Sequence, residues 1–447
     1  MPKTPNTRLR TLLAEADWSG AQLAAALRQV AAEHGRQLAC DRSMVSRWLS
    51  GTTPRPPVPQ LLLEALSRRL GRPVDAVEAG LSRPPCTVLD LSWEADPLRR
   101  LTALTRAHLD PERRRLLHAG VYSLAMLANP VAWSPDAKPP AGSAPDSDGA
   151  RGRPGRGEVE QMQTMARVFA EAAQLHGSGH VRTALAAYLG HDVAGYLQAP
   201  AAEHTHRQLL TGAAQLITLL GTMSADSGAD ALAQRYHHTA ARLAADAGDR
   251  AVFAITLRAM ATHAHDLGHR TPAVMNLAGR AADAARNAPR IVRAYTQAHL
   301  AVTAAPEDRH TALTALRQAE QLHQQADSAP GPFTAYPLAA LHYQRAQTLA
   351  ALGERSQAIG AYTASLRLRT ATERHARTLT HAHLAETLLA HGHLDAALTH
   401  WTHFLDNYPH LSSVRAARRL DVMRRHLVPH HRHRPAAALL DRAAPLR

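Results

Sequence analysis

Apolar residues recur three or four positions apart along almost the whole chain, the spacing of one face of a helix. Leu9, Leu12 and Leu13 mark a first short helix. Leu23, Ala24, Leu27, Val30 and Ala31 mark a second, running from Gly20 to Gly35 with Ser19 placed to cap it. The third lies in Asp41 to Gly51. There Asp41 is placed to accept hydrogen bonds from the free backbone N–H groups of the first turn, Val45, Trp48 and Leu49 form one apolar stripe, and Gly51 supplies the stop. After a stiff loop with Pro54, Pro56, Pro57 and Pro59, Leu61, Leu62, Leu63, Ala65, Leu66 and Leu70 predict a fourth helix, closed by Gly71 and Pro73. Val74 to Leu81 adds a fifth.

Beyond this unit of residues 1–82, the pattern predicts a helical connector over 83–129. Pro84 and Pro85 fall at its start, a break falls near Asp110-Pro111, and Arg113 to Leu117 form a basic first turn. Residues 130–157 are rich in Pro, Gly, Ser and Asp and read as a disordered linker. From Glu158 the chain is helix after helix to residue 428, followed by a basic tail over 429–447. The breaks repeat: Gly228 to Gly268 spans 40 residues and Gly353 to Gly392 spans 39. Around them Ala346, Gly353, Ala358 and Tyr362 recur as Ala385, Gly392, Ala397 and Trp401, and more weakly as Ala261, Gly268, Ala273 and Leu277. Small residues let paired helices cross closely, and an aromatic fills the groove to the next pair. The expected fold class is all-α, with about five helix pairs between Arg207 and Leu427.

Composition agrees with helices. Aromatics are 4% of 447 residues, hydrophobic residues 45%, and Ala and Leu dominate. The net charge of +14 favours anionic partners. It does not single out the first domain, because residues 1–80 hold 11 basic against 7 acidic residues, a net of +4. Residues 415–447 hold 9 Arg against 2 Asp, a net of +7, and read either as a solvated end, the preferred reading, or as a help in holding a phosphate backbone. Two cysteines, Cys40 and Cys86, make no disulfide framework, and a cytoplasmic location is expected. No run approaches the roughly 18 apolar residues of a membrane span.

The chemistry concentrates in the third helix. Arg42, Ser43, Ser46 and Arg47 fall opposite its apolar stripe, and short polar and Arg side chains on such a face are what a DNA major groove accepts. Enzyme signatures do not accompany it. There is no P-loop, no Gly-x-Gly-x-x-Gly after a strand and no Gly-x-Ser-x-Gly elbow. The 29 histidines include His265 and His269 at i, i+4, but neither cysteine has a partner at metal spacing. No metal and no cofactor is expected.

The first 82 residues resemble the helix-turn-helix domains of phage-repressor type. Ser19-Gly20-Ala21-Gln22-Leu23-Ala24 matches the start of that family's scanning helix, and Met44 to Gly51 is similar to its recognition helix. The resemblance implies that Arg42, Ser43 and Arg47 face base edges and that Gln22 sits near a phosphate. The longer second helix and the extended turn before Asp41 depart from the family pattern. The later repeats resemble the tetratricopeptide repeat, with a length beyond its usual 34 residues. That resemblance implies a concave face lined by the first helix of each pair, carrying Arg258, Thr262, His265, Gln297, Tyr343, Gln347 and Glu386.

The two halves together look like a group of actinobacterial repressor-type regulators tied to antibiotic production and development. Ala16-Asp17-Trp18-Ser19, Ala65 to Pro73, Gly177-Ser178-Gly179-His180 and Tyr188 to Val193 carry that likeness. It implies a regulator of double-stranded DNA, working as a homodimer, whose array senses a peptide, small molecule or protein partner. The alternative is a repeat scaffold acting through protein contacts with weak or no specific DNA binding.

Overall fold

The computed structural model describes residues 4–33, 37–55, 57–72, 74, 76–81, 96–110, 122–128, 133, 153–326 and 335–446. Among them every regular element is helical. Four helices open the chain: α1 (Thr7–Glu15), α2 (Gly20–Glu33), α3 (Arg42–Leu49) and α4 (Val58–Leu70). The first three starts are set by local side-chain caps, and α4 starts at Pro57 and Pro59. The Asn6 side chain accepts from Leu9 N–H at 2.9 Å. Ser19 and Gln22 cap each other, with Ser19 N–H donating to Gln22 Oε1 at 2.7 Å and Gln22 N–H to Ser19 Oγ at 3.3 Å. Asp41 accepts from Met44 N–H at 2.9 Å. The helices close around Leu9, Leu12, Leu23, Leu27, Val45, Trp48, Leu61, Leu62 and Leu66, all buried.

Val74 to Leu81, expected as a fifth helix, is a turn: Leu81 N–H reaches Ala76 O at 2.8 Å. Gly80, at φ +64°, closes the segment after one turn with its N–H on Val77 O at 3.1 Å, and Arg8 donating to Val77 O at 2.7 Å and the Asn6 amide to Ala79 O at 2.9 Å hold that turn against α1.

The rest is a repeat-like helical array. It begins with α5 (Pro97–Leu109), α6 (Ala125–Ala128), α7 (Arg156–His176), α8 (Ser178–Tyr188) and α9 (Ala194–Gln198), the last two joined by a π-helical turn over Leu189–Val193. Five hairpin pairs follow among the described residues: α10 (Glu203–Asp226) with α11 (Asp230–Asp246), α12 (Arg250–Asp266) with α13 (Pro272–Ala284), α14 (Arg290–Ala304) with α15 (Arg309–Gln324), α16 (Leu338–Ala351) with α17 (Arg355–Leu368), and α18 (Arg374–Ala390) with α19 (Leu394–Asn407). Two more helices end the chain, α20 (Val414–Leu427) and α21 (Arg434–Ala443). The small positions of the repeat sit at the crossings: Ala346, Ala358, Ala385 and Ala397 are fully buried, and Tyr362 and Trp401 are buried beside them. Gly353 and Gly392 turn each hairpin at φ +83° and +89°, where a side chain is strained. In the weaker copy, Ala273 is only half-buried.

Three stretches depart from the sequence pattern. The described parts of the connector are built into the array. Leu101 and Leu104 of α5 share one core with α10 to α13, and Arg100 and His108 reach His238 and Tyr236, each at 2.9 Å. The tail is not a solvated end. Ala436, Leu439 and Ala443 of α21 are buried in the core of the last repeats, and Arg424 donates to Ala443 O and Leu446 O. An amphipathic stripe inside the Arg-rich sequence outweighs its charge. Finally, the 130–157 linker, the Pro84-Pro85 segment and the Arg113 to Leu117 turn lie outside the described residues, apart from Trp133 and residues 153–157. Trp133 packs edge-on against Phe253, and Arg250 lies over its ring.

Candidate nucleic-acid interface and array interior

Two surfaces carry the expected site residues. The first is the outer face of α3. Val45 and Trp48 turn inward, and Arg42, Ser43, Ser46 and Arg47 are all exposed on the other side. A Cβ built on Gly20 would stand 3.4 Å from Val45 Cγ1, so α2 meets α3 closely at its start. Gly51, at φ +96°, lets the chain pass against Thr4. Asp41 stays ionised: the Met44 N–H holds its carboxyl below the usual range, helped by the Ser43 hydroxyl at 2.8 Å. Ser43 is thus turned toward the cap, and Gln22 spends its carbonyl oxygen on Ser19 while remaining exposed.

The arginines of this bundle divide in two. Arg8 and Arg28 donate to backbone carbonyls, Arg68 pairs with Glu33 and Glu64, Arg69 bonds Ala16 O beneath Trp18, and Arg72 pairs with Glu15 and Glu78. Arg42 and Arg47 on α3, with Arg10 on α1 and Arg55 in the loop before α4, make no such bond among the described residues. The first group holds the fold, whereas the second projects from it.

The second surface is the interior of the array, where the first helices of the pairs stand side by side. The inner layer is stitched by Thr218 to Thr256 at 2.9 Å, Arg258 stacked 3.5 Å over the Tyr295 ring, and Thr262 to His299 at 3.3 Å. His265 packs edge-on against His299, and burial lowers its pKa to about 4. Tyr343 lies against Tyr362 and His383, and burial raises its pKa to about 12. Glu386 accepts from Arg419 at 3.1 Å; burial raises its carboxyl and Arg419 opposes that shift. Gln297 and Gln347 are half-buried and make no side-chain hydrogen bond among the described residues. The expected residues therefore fall into two contact groups, Arg258 with His265 and Tyr343 with Glu386.

The sequence pattern missed what joins them. Arg415 and Arg419 were counted with the solvated charge of the tail, yet α20 carries them across the interior. Arg415 pairs with Asp266 at 3.1 Å, and Ser413 donates to Asp226 at 2.6 Å. Asp226 and Asp266 end α10 and α12, so α20 ties the last repeat to the first two. Beside it the loop after α7 and the loop before α20 are clasped: Ser412 N–H donates to His176 O at 3.0 Å and Gly179 N–H to Ser412 O at 3.1 Å. Helical spacing of Arg415 and Arg419 was the available signal, but their partners lie far away in sequence.

A strap joins the bundle to this array. Ser123 and Gln234 exchange two hydrogen bonds, at 2.9 and 2.7 Å, and Tyr122 stacks on His269 and meets His263 edge-on. One residue later Leu124 N–H donates at 2.8 Å to Glu64, a buried carboxylate of α4.

Among the described residues, no helix is long and apolar enough to cross a membrane, and no group of three His, Cys, Asp or Glu side chains is placed to hold a metal. No curated protein and no solved structure matches the chain. Residues 9–82, which span α1 to α4 and the turn after them, match the family model described as the SP15 N-terminal domain.

Proposed function

We propose that the chain is a sequence-specific DNA-binding transcriptional regulator whose tetratricopeptide-like array senses a peptide, small molecule or protein partner and sets the spacing of two N-terminal helix-turn-helix domains in a homodimer. The observation that carries this reading is the division of the arginines. Arg8, Arg28, Arg68, Arg69 and Arg72 are held in internal bonds and Arg10 and Arg55 project singly, whereas α3 presents two arginines, Arg42 and Arg47, with Ser46 on one exposed face opposite buried Val45 and Trp48, with no side-chain hydrogen bond or ion pair among the described residues. An arginine aimed at a base edge discriminates by about 1–3 kcal/mol, and one aimed at phosphate adds salt-dependent affinity.

Selection of binding sites from random duplexes by the full chain tests it. A discrete motif is expected, and Arg42→Ala and Arg47→Ala are each expected to weaken the selected site about tenfold or more, with sequence preference relaxed at one position. Equal, sequence-blind retention by all three proteins leaves a scaffold acting through protein contacts instead.

A further inference from the structure

A cavity of about 310 Å³ opens at the clasp, between α7, α10, α18 and α20. Its volume is at the low end of the roughly 300–1,000 Å³ of small-molecule clefts. Leu219, Met223, Ala170 and Ala173 give it an apolar side. Its charged lining is Asp226, Glu171 and Glu373 against Arg415, with His375 beside them. Arg415 is engaged with Asp266 and Glu373 with Arg369.

Asp226 is the unusual member. It is 2% exposed, and its Oδ1 takes the Ser413 hydroxyl with His375 Nε2 at 3.4 Å. Its Oδ2 is buried and has no hydrogen-bond partner among the described residues. Burial pushes this carboxyl up, but His375, Arg415 and Ser413 outweigh it and keep the group ionised. A buried carboxylate oxygen without a donor costs free energy that a bound donor recovers. The surplus of carboxylates in the lining selects a cation, and the apolar side selects a short hydrocarbon body.

We infer that this cavity binds a small ligand carrying a primary ammonium group, with the ammonium on Asp226 and an aliphatic body against Leu219 and Met223. The same chemistry is offered by a free aliphatic amine and by the N-terminus of a leucine-headed peptide. The inference rests on the sensing role proposed above and gives it a ligand class. Because the four helices come from both ends of the array, an occupant stabilises the clasp that joins them.

Titration calorimetry of the full chain with isoamylamine, leucinamide and the tripeptide Leu-Gly-Gly, each beside its N-acetylated form, reads the site directly. At least one free amine is expected to bind tenfold or more tightly than its acetylated form. Preference for isoamylamine or for Leu-Gly-Gly tells a metabolite from a peptide. Asp226→Asn is expected to abolish the preference. Because that variant also removes the charge that faces His375 and Arg415, Thr222→Trp, which fills the cavity from an exposed position, is expected to abolish binding with the melting temperature unchanged. Binding indifferent to acetylation, or retained in Thr222→Trp, overturns the inference, as does no binding by any probe. Amine binding that leaves occupancy of the selected DNA site unaltered upholds the cavity and removes the sensing role instead.

Discussion

Acidification from pH 7 to pH 4.5 is expected to unfold the array while the N-terminal bundle still holds. Burial lowers His237 to about 3, with His263 adding to the effect. Burial does the same for His238, helped by Arg100, and for His381, helped by His400 and His403, each to about 3. All three are less than 9% exposed, so solvent screening is small. The sign follows from linkage. Above the unfolded pKa of about 6.5 neither state binds the proton and these groups contribute nothing to the pH slope. Below it the unfolded chain takes up protons that the folded array refuses, so stability falls by about 1.4 kcal/mol per pH unit for each group until its folded pKa is reached. Three such groups lose about 4 kcal/mol per unit, a large part of the roughly 5–15 kcal/mol that domains possess. Between residues 4 and 81 the sequence holds a single histidine, His34, and the bundle escapes this term. Thermal melts at pH 7, 6 and 5 measure it, with far-UV dichroism for the array and amide hydrogen exchange of residues 4–81 for the bundle. His381→Asn is expected to flatten the slope by nearly one proton; a melting temperature independent of pH would show that these histidines are protonated in the folded state.

Gly177→Ala is expected to cost about 2–3 kcal/mol and to open the clasp. Two effects add. Gly177 has φ +81° and ψ 163°, a region open essentially to Gly alone, which costs a side chain about 1–3 kcal/mol. A Cβ there also meets the Ser412 backbone N and O at 2.7 Å, atoms that cannot move without breaking the bonds to His176 and Gly179. Gly353→Ala is the contact-free comparison, because its φ is also positive at +83° and nothing lies within 4 Å of the added carbon. Its cost is the backbone term alone. Denaturant titration of both variants separates the two contributions, and proteolysis within residues 410–413 reports the opening. Equal costs in the two variants would mean that the loops part and re-seat freely.

What could be read along the chain was local. Asp41, Val45, Trp48 and Gly51 place α3 because cap, stripe and stop all lie within eleven residues. Ala346, Ala358 and Tyr362 place a helix pair for a similar reason, since the two helices that cross there are consecutive in sequence and joined by the short turn at Gly353. Illegible features depend on distant partners. Ser413 meets Asp226 across 187 positions, and Leu124 meets Glu64 across 60. Nothing in the composition of the tail marks Arg415 as an interior residue, because a guanidinium needs its carboxylate before it can be placed. Gly177-Ser178-Gly179 was visible as a motif, but its physical reason, room for Ser412, sits in the last tenth of the chain. The turn at 76–81 was misread as a helix: Gly80 closes it after one turn, and Asn6 and Arg8 hold it against α1.

The bond between Leu124 and Glu64 sets a ceiling on leverage. A hydrogen bond to a charged group contributes about 1.5–3 kcal/mol net. Making or breaking that one bond therefore biases the orientation of the bundle by roughly ten- to a hundredfold, whatever the affinity of an occupant elsewhere. The array, seventeen helices among the described residues, ends in a lever of modest throw, graded in its output rather than all-or-none.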